Sequence, residues 1–256
     1  MNDYSLTERR HAILERMNRD GRVSVTGLSE SFGVSEVTIR ADLQALAEQN
    51  LVVRTHGGAI PPGRLSPDLS LALRRQQQVL AKDHIGAAGA ALVDDGDAIF
   101  LDTSSTALAI ARHLTRLRHV TVITNSVAIV QELMDCPTID VVVPGGRLRR
   151  ETASLIGVDG AEALARYNIQ KGFFGAHGLS PAEGLTDVSA DEADVKRLLV
   201  GRCRQVIAII DATKWGRVGL ASFARVADID IVITDRDASP DLVDQVRSQG
   251  VEVILV

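Results

Sequence analysis

Hydrophobic positions recur with two different spacings along this chain. Up to residue 60 they recur with helical spacing, whereas from residue 98 onward they gather in short, nearly continuous β-branched runs. PPGRLSP (61–67) contains three prolines and a glycine, a composition typical of a linker. We therefore predict a first domain over 1–60, a linker over 61–72 and a second domain over 73–256.

The segment up to residue 60 begins with two predicted helices. One carries Ile13, Leu14 and Met17 on a single face. After a short extended stretch, a second helix is predicted with Thr26 as its cap and Gly33 as its end, because glycine readily adopts the left-handed conformation found there.

A third helix and a hairpin follow. Ser35 is a natural N-cap, and Ile39, Leu43 and Leu46 follow the i, i+4, i+7 spacing of a buried face. LVVRTHGGAI (51–60) predicts two short strands around a glycine turn. The order of elements predicts a winged helix-turn-helix domain.

The outward stripe of the third helix suits DNA recognition. A helix fits the major groove, where Gln44 is able to pair with adenine, and hydroxyls and Arg40 near the helix start suit phosphates. A merely solvated polar face is the alternative that spacing alone leaves open. The predicted DNA-binding residues are Thr26, Ser35, Glu36, Val37, Thr38, Arg40, Gln44, Arg54 and His56.

Charge does not decide between these alternatives. The formal net charge is −5, and residues 1–60 hold seven arginines, no lysine and eight acidic residues, so the domain lacks the usual basic footprint. Arginine is nevertheless the preferred partner of phosphate and guanine. A basic cluster is predicted near the first helix from Arg9, Arg10, Arg16, Arg19 and Arg22.

The β-branched runs from residue 98 onward predict an α/β domain with a mostly parallel sheet. Continuous apolar runs suit strands that are covered on both faces, and helical patterns separate several of them. The predicted strands are 98–102, 120–124, 140–144, 171–176, 206–211, 230–235 and 251–256. The predicted helical segments are 70–93, 106–114, 127–134, 158–165, 190–202 and 240–249.

Polar and glycine-rich clusters follow several of these strands. Ligands of open parallel sheets bind at the carboxyl ends of strands, and hydroxyls and amides at a helix start suit a phosphate. Taken singly, each cluster is equally consistent with helix caps and turns. The strand-end residues are Asp102, Thr103, Ser104, Ser105, Thr106, Thr124, Asn125, Ser126, Gly145, Gly146, Arg147, Gly175, His177, Gly178, Asp211 and Lys214.

Lys196 lies four residues after Glu192 on a predicted helix. One interpretation is a surface ion pair worth a few tenths of a kcal/mol. The other is that Lys196 supplies a cation to a phosphate or to an open-chain sugar oxygen.

Other chemistry is sparse in the sequence. Cys136 and Cys203 form no CxxC pair and are interpreted as buried small hydrophobes in a reducing cytoplasm. Scattered histidines predict no metal site, and we expect no cofactor. No apolar run reaches the roughly 18 residues of a membrane span. The N-terminal residues do not resemble a secretion signal.

Specific motifs resemble the DeoR family of bacterial transcriptional regulators. VSEVTIRADL and LVVRTHGGAI resemble its DNA-binding domain, and IFLDTSSTA, TVITNSVAI, VVVPGGRLR and AIIDATKWG resemble its C-terminal sensor domain. The resemblance spans about residues 6 to 256. It implies a sensor fold similar to phosphosugar isomerases and CoA transferases, a phosphorylated sugar as effector, and the strand-end residues together with Lys196 as effector ligands.

Two positions depart from the family pattern. Ala41 stands where a second arginine is common, which removes a possible DNA contact. Ser104 stands where glycine is frequent, and a positive φ there would strain a serine.

Two functions follow as hypotheses. The first is a repressor that binds operator DNA as a homo-oligomer, dimer or tetramer, because one helix reads only a few base pairs. The alternative is a sugar-phosphate isomerase-like enzyme with an appended DNA-binding head. In that enzyme Asp102, Asp211, Glu192 and Lys196 would be the acid/base groups.

Overall fold

The chain divides into two compact units, Met1–Gln76 and Gln77–Val256. A short helix, Leu71–Arg74, contacts a strand of the first unit, so this division falls slightly beyond the predicted end of the linker at residue 72. The linker residues 61–69 lie outside the described part of the chain. The computed structural model describes residues 6–20, 22–48, 51–55, 57–60, 70–157, 160 and 163–256.

The first unit has the predicted helix-turn-helix order followed by a wing. Its elements are α1 (Leu6–Asp20), β1 (Val23–Ser24), α2 (Val25–Phe32), α3 (Glu36–Glu48), β2 (Val53–Thr55), β3 (Gly58–Ile60) and α4 (Leu71–Arg74). The strands form an antiparallel sheet in the order β1-β3-β2.

The start of α2 differs from the prediction. Ser24, not Thr26, caps the helix, because its Oγ accepts a hydrogen bond from the Gly27 amide at 3.1 Å. Thr26 lies inside the first turn, which frees its hydroxyl for another partner. The end of α2 is confirmed at Gly33, whose φ of 65° is left-handed.

A buried carboxylate joins α1 to α3. Asp42 lies on the inward side of α3 and is 1% exposed. Its Oδ2 accepts a hydrogen bond from Arg9 Nε at 2.6 Å and its Oδ1 accepts one from Arg10 Nε at 2.9 Å. Around this ion-paired group, Ile13, Met17, Val25, Leu28, Ile39, Leu43 and Leu46 form the apolar core of the unit.

The second unit alternates strands and helices. Four short 3-10 segments, Leu114–Arg116, Ala163–Arg166, Ala212–Lys214 and Val226–Asp228, also occur in its described residues. Its helices are α5 (Val79–Ala91), α6 (Ser105–His113), α7 (Val127–Leu133), α8 (Ala190–Val200) and α9 (Pro240–Arg247). Its strands are β4 (Ala98–Leu101), β5 (Val120–Thr124), β6 (Ile139–Val142), β7 (Arg147–Arg149), β8 (Ser154–Ile156), β9 (Ile169–Phe174), β10 (Gly178–Ser180), β11 (Gly184–Asp187), β12 (Cys203–Ile209), β13 (Ala221–Ala224), β14 (Ile231–Thr234) and β15 (Glu252–Leu255).

A seven-stranded parallel sheet forms the centre of this unit, as far as the described residues show. The strand order is β15-β14-β12-β9-β4-β5-β6. All seven predicted strands take part, with ends shifted by a few residues. The order reverses direction between β4 and β9, and such a switch point is where open α/β sheets place their ligands.

Helices cover both faces of this sheet, which explains the continuous apolar runs. Phe100 and Phe174 belong to one core and Leu101 and Phe173 to the other, since neighbouring strand residues point to opposite faces. Helices α5, α6 and α7 contribute to the second core, and α8 and α9 contribute to the first.

Two local expectations were wrong, and a third falls largely outside the described residues. The stretch 70–93 is not one helix, because Gln78 has a left-handed φ of 49° between α4 and α5. Cys136 and Cys203 are only partly buried, although burial raises the pKa of the Cys203 thiol to about 12. The predicted helical segment 158–165 stays a prediction, because the structure describes only residue 160 and residues 163–165 of it, the latter within the 3-10 segment Ala163–Arg166.

Asp42→Asn is expected to destabilise the first unit by about 3 kcal/mol, because it leaves the Arg9 guanidinium buried without its counter-charge. Hydrogen exchange of amides in α1 and α3, measured on the full chain, reports this change. Asp20→Asn is the matched control, since Asp20 forms exposed pairs with Arg19 and Arg16 and should alter protection little. Equal protection in Asp42→Asn and the wild type would contradict a structural role for the buried ion pairs.

Candidate DNA-binding and effector sites

Helix α3 presents the predicted outward stripe. Ser35 caps it by accepting a hydrogen bond from the Thr38 amide at 3.1 Å. Val37 is 75% exposed, and Ala41 and Gln44 are exposed on the same side. The stripe is therefore accessible, as a helix that enters a DNA groove requires.

Glu36 links two other predicted DNA-binding residues. Its Oε1 accepts a hydrogen bond from the Thr26 hydroxyl at 2.9 Å, and its Oε2 accepts one from Arg40 Nη2 at 3.0 Å. The Arg40 guanidinium and the Thr26 hydroxyl lower the pKa of Glu36 below its ordinary value. An ionised carboxylate therefore holds both potential phosphate ligands at the start of α3.

Gln44 is held from two sides. Its Oε1 accepts a hydrogen bond from Arg54 Nη1 of the wing at 3.0 Å, and its Nε2 donates to Glu48 Oε1 at 3.1 Å. An adenine contact by Gln44 would have to replace these bonds. His56, predicted as a wing contact, lies outside the described residues.

Four arginines of the basic cluster predicted near α1 have intramolecular partners. Arg9 and Arg10 bind Asp42, so they are structural. Arg16 donates to Ser31 Oγ at 2.7 Å, and Arg19 pairs with Asp20 at 2.8 Å. The sequence did not reveal these pairs because most of the partners lie on other helices.

In the second unit, the residues that follow β4 form a buried polar loop. Asp102 to Thr106 are each less than 10% exposed. Ser104 caps α6, because its Oγ accepts a hydrogen bond from the Ala107 amide at 3.0 Å. Among the described residues, the hydroxyls of Thr103, Ser105 and Thr106 make no hydrogen bond, so these three donors remain available to a ligand at the start of α6.

The strain anticipated at Ser104 is absent. Its φ of −77° and ψ of 155° are extended, which suits any residue. Instead, the serine requires its neighbour to be small: a Cβ on Gly175 would lie 2.4 Å from Ser104 Cβ. Gly175 at the end of β9 thus allows a serine to approach from the end of β4.

Lys196 lies at the centre of a buried cluster at the switch point. Its Nζ contacts the Gly175 carbonyl at 2.8 Å, Asp187 Oδ2 at 2.8 Å and Asp102 Oδ2 at 3.0 Å. The Gly175 amide donates to Asp102 Oδ2 at 2.9 Å. We call Asp102, Gly175, Asp187 and Lys196 the switch-point cluster.

The interpretation of Lys196 and Glu192 as a surface pair was wrong, since they are 6% and 5% exposed. Burial opposes the charge of Lys196, but Asp102, Asp187 and Glu192 together raise its pKa above the ordinary value. The ammonium also lies 5.0 Å from the Phe223 ring centroid. Each of its three ammonium hydrogens has an oxygen partner, so none is left for a ligand in this conformation. Lys196 therefore holds the other members of the cluster in position.

The residues after β5 are tied to the β7–β8 hairpin. Asn125 Nδ2 donates to the Leu155 carbonyl at 3.0 Å. Ser126 caps α7 by accepting from the Ile129 amide at 3.3 Å, and Thr124 Oγ1 accepts from the Ser126 amide at 3.1 Å. Here the cap interpretation is correct for Ser126.

The same hairpin reaches α8. Ser154 Oγ donates to Glu192 Oε1 at 3.2 Å, and Thr152 shares a hydroxyl contact with Ser154 at 2.5 Å. Arg149 Nη1 donates to Ser189 Oγ, the cap of α8, at 2.6 Å. The hairpin thereby connects the ends of β5 and β6 with the helix that carries Lys196.

A cleft of 460 Å³ opens beside the hairpin. Gly145 and Gly146 form the turn that leads into β7, with φ of 79° and 126°. A Cβ on Gly146 would lie 2.7 Å from the Ile156 carbonyl oxygen. The glycines therefore permit the turn that places Arg147 in the cleft. The lining residues are Gly146, Arg147, Ile156, Gly157, Gly160, Asp191 and Asp194.

The remaining predicted residues belong to different parts of the unit, Gly178 to a small antiparallel sheet of order β10-β11-β13 and Asp211 to the segment after β12. Gly178 begins β10, where a Cβ would lie 2.0 Å from the Arg217 carbonyl oxygen. Asp211 caps a 3-10 turn by accepting from the Thr213 amide at 3.0 Å. His177, which precedes Gly178, and Lys214, which ends the 3-10 turn capped by Asp211, are both half-buried.

Several site residues were missed. Asp187, Ser154, Asp191 and Asp194 carry no motif of their own. Acidic residues at a helix start are ordinarily explained by the helix dipole, so Asp191 and Asp194 gave no distinct signal. Only the fold brings Asp187 to Lys196.

An exposed helix-turn-helix stripe, joined to an α/β unit with a polar strand-end site, defines a DNA-binding regulator with a sensor domain. Residues 9–62 match the DeoR-like helix-turn-helix domain, and residues 77–236 match the DeoR C terminal sensor domain. The chain belongs to the DeoR family of transcriptional regulators, which confirms the resemblance seen in its motifs.

Named relatives span nearly the whole chain. The HTH-type transcriptional repressor GlcR of Bacillus subtilis is 35% identical, covering 97% of this chain and 95% of the relative. The glycerol-3-phosphate regulon repressor of Escherichia coli is 30% identical, covering 90% of each chain. An uncharacterized regulator of Escherichia coli, YgbI, is 36% identical, covering 91% of each.

Among solved structures, ribose 5-phosphate isomerase A from Methanocaldococcus jannaschii overlaps 52% of this chain and 53% of its own, with a TM-score of 0.39 and 20% identity. This loose likeness transfers neither an activity nor a ligand. No described helix of the present chain is long and apolar enough to cross a membrane.

Gly175→Ala is expected to lower the melting temperature, because its methyl group collides with Ser104. Ser104→Gly alone should cost only a few tenths of a kcal/mol, since glycine is a tolerated N-cap. The double variant should recover much of the stability lost in Gly175→Ala. Calorimetry of the three variants checks this coupling, and purely additive effects would contradict the proposed contact.

Proposed function

We propose that the protein represses a sugar or polyol operon and that a phosphorylated sugar, or a related metabolite, relieves repression. The observation that most directly supports binding of such an effector is the set of hydroxyls of Thr103, Ser105 and Thr106 at the start of α6, which have no hydrogen-bond partner among the described residues. A relative is named as a glycerol-3-phosphate regulon repressor, and another as a putative aga operon transcriptional repressor, which supports a metabolite of this class.

We place the phosphate at the start of α6. The first amides of a helix lack partners within the helix and carry partial positive charge, so they favour an anion. The hydroxyls of Ser105 and Thr106 add donors at the same place. Lys196 acts indirectly, by fixing Asp102 and Gly175, because its own hydrogens are already used.

The switch-point cluster supplies no free cation to this site, so a cation for the ligand must come from elsewhere. Lys196 is surrounded by Asp102, Asp187 and Glu192, so the cluster has no surplus positive charge for an anionic ligand. Arg147 in the neighbouring cleft supplies a cation, and Asp191 and Asp194 supply acceptors for sugar hydroxyls. An anionic polyol matches that combination.

DNA recognition is assigned to α3, with the wing and Thr26 in support. Because one helix reads only a few base pairs, we propose a cytoplasmic homo-oligomer that binds paired half-sites. The effector relieves repression only if it binds the DNA-free conformation more tightly than the DNA-bound one.

The isomerase alternative is not favoured. The relatives described above are named regulators, and isomerisation needs a base near a C–H bond. Ion pairs keep Lys196 protonated, so it is unsuited to that role. Asp102 is likewise engaged by the Ser104 and Gly175 amides.

Arg40→Ala should weaken binding to a selected operator duplex about tenfold and reduce the salt dependence by about one phosphate contact. Fluorescence anisotropy at several salt concentrations measures both quantities. Arg112→Ala, which removes an exposed arginine from the second unit, is the charge-matched control. Unchanged affinity in Arg40→Ala would remove Arg40 from the interface.

Thr106→Val should weaken effector binding about tenfold while preserving DNA affinity, because it removes one hydroxyl bond to a charged ligand and keeps the side-chain shape. Thermal-shift titrations with glycerol 3-phosphate, glucose 6-phosphate and ribose 5-phosphate provide the measurement. Thr115→Val, at an exposed site of the same unit, is the control. Identical titrations for Thr106→Val and the wild type would exclude the phosphate site at α6.

A further inference from the structure

The first turn of α3 carries a carboxylate, which suits the helix dipole but adds negative charge to the surface proposed to meet DNA phosphates. Glu36 is the first residue of α3, and its side chain is 43% exposed. Both of its oxygens are occupied, one by Thr26 and the other by Arg40. Any phosphate that approaches Arg40 must therefore compete with Glu36.

This arrangement penalises DNA binding in general. The negative charge of Glu36 repels phosphates, and its bond to Arg40 must be exchanged when Arg40 contacts the backbone. A sequence in which the released carboxylate finds a new donor avoids most of this cost. In the major groove such a donor is the N4 amine of cytosine, which pairs with Glu or Asp.

We infer that Glu36 is a specificity-determining residue, which accepts a hydrogen bond from a cytosine N4 amine in the operator and disfavours duplexes that lack this amine. The inference rests on the proposed function, since it takes α3 as the helix that reads DNA. On the matching site, cytosine replaces Arg40 at Oε2, and Arg40 turns to a neighbouring phosphate. On other sequences Glu36 retains Arg40, so binding is weaker.

The position of the group on α3 supports this assignment. Val37 and Ala41 lie on the exposed stripe that follows Glu36, and neither carries a polar group that reads a base edge. Gln44 is bound to Arg54 and Glu48. Glu36 also has partners, but it is the carboxylate on the N-terminal turn of α3, the part of a recognition helix that contacts base edges.

The test compares the sequences that the full-length variants select. Duplexes are enriched from a randomised library by the wild type, Glu36→Ala, Glu36→Gln and Glu30→Gln. Glu30 is an exposed residue of α2, so Glu30→Gln matches the charge change of Glu36→Gln at another site. Affinities are then measured for the wild-type duplex, for single base-pair changes within it and for a scrambled duplex.

The wild type should prefer one C·G pair by about tenfold over substitutions at that position. Glu36→Ala should lose this preference, and Glu36→Gln, whose amide oxygen still accepts a hydrogen bond, should retain only part of it. Both variants should bind the scrambled duplex several-fold more tightly than the wild type, because both lose the negative charge. Glu30→Gln should strengthen binding to both duplexes equally and retain the preference.

An unchanged base preference in the Glu36 variants, with equal effects on matched and scrambled duplexes, would reduce Glu36 to a helix ion-pair partner and overturn the inference. A wild type that enriches no sequence would instead contradict the proposed function. Hydrogen exchange of α3 distinguishes either outcome from unfolding of a variant.

Discussion

The second unit depends on one buried ammonium group. Lys196 joins the end of β4 through Asp102, the end of β9 through Gly175 and the end of β11 through Asp187, while its own backbone belongs to α8. A buried charge is costly unless its partners satisfy it fully, and here three oxygens do so. This arrangement fixes the carboxyl ends of the paired strands β4 and β9 at the switch point. The hydroxyls of Thr103, Ser105 and Thr106 lie in and just after the loop that Asp102 holds in place through the Ser104 amide.

The first unit uses carboxylates in a related way. Asp42 holds two arginines of α1, and Glu36 holds Arg40 and Thr26 on the other side of α3. This pairing explains how a domain with no excess of basic residues still presents a defined recognition helix. Arginine content alone does not measure DNA affinity in such a domain, because several arginines already have intramolecular partners.

Much of the fold was predictable because it is written in local patterns. The β-branched runs around Phe100, Phe173 and Ile207 indicated strands covered on both faces, and Ser35 and Gly33 marked helix ends. The network around Lys196 was not predictable from spacing. Glu192 is its neighbour on the helix, but its direct partners Asp102 and Asp187 come from other strands. Likewise, the fit of Ser104 depends on the missing side chain of Gly175, a contact that only the sheet creates.

We propose that a metabolite bound in the second unit changes the affinity of the first unit for DNA. Linkage makes this coupling reciprocal, so it is measurable from either side. The most direct measurement is the dissociation constant of a selected operator duplex with and without a saturating phosphorylated sugar that raises the melting temperature, together with the dissociation constant of that sugar with and without the duplex. We expect each ligand to weaken binding of the other by the same factor, at least about fivefold. A sugar phosphate that binds tightly and leaves DNA affinity unchanged would contradict it.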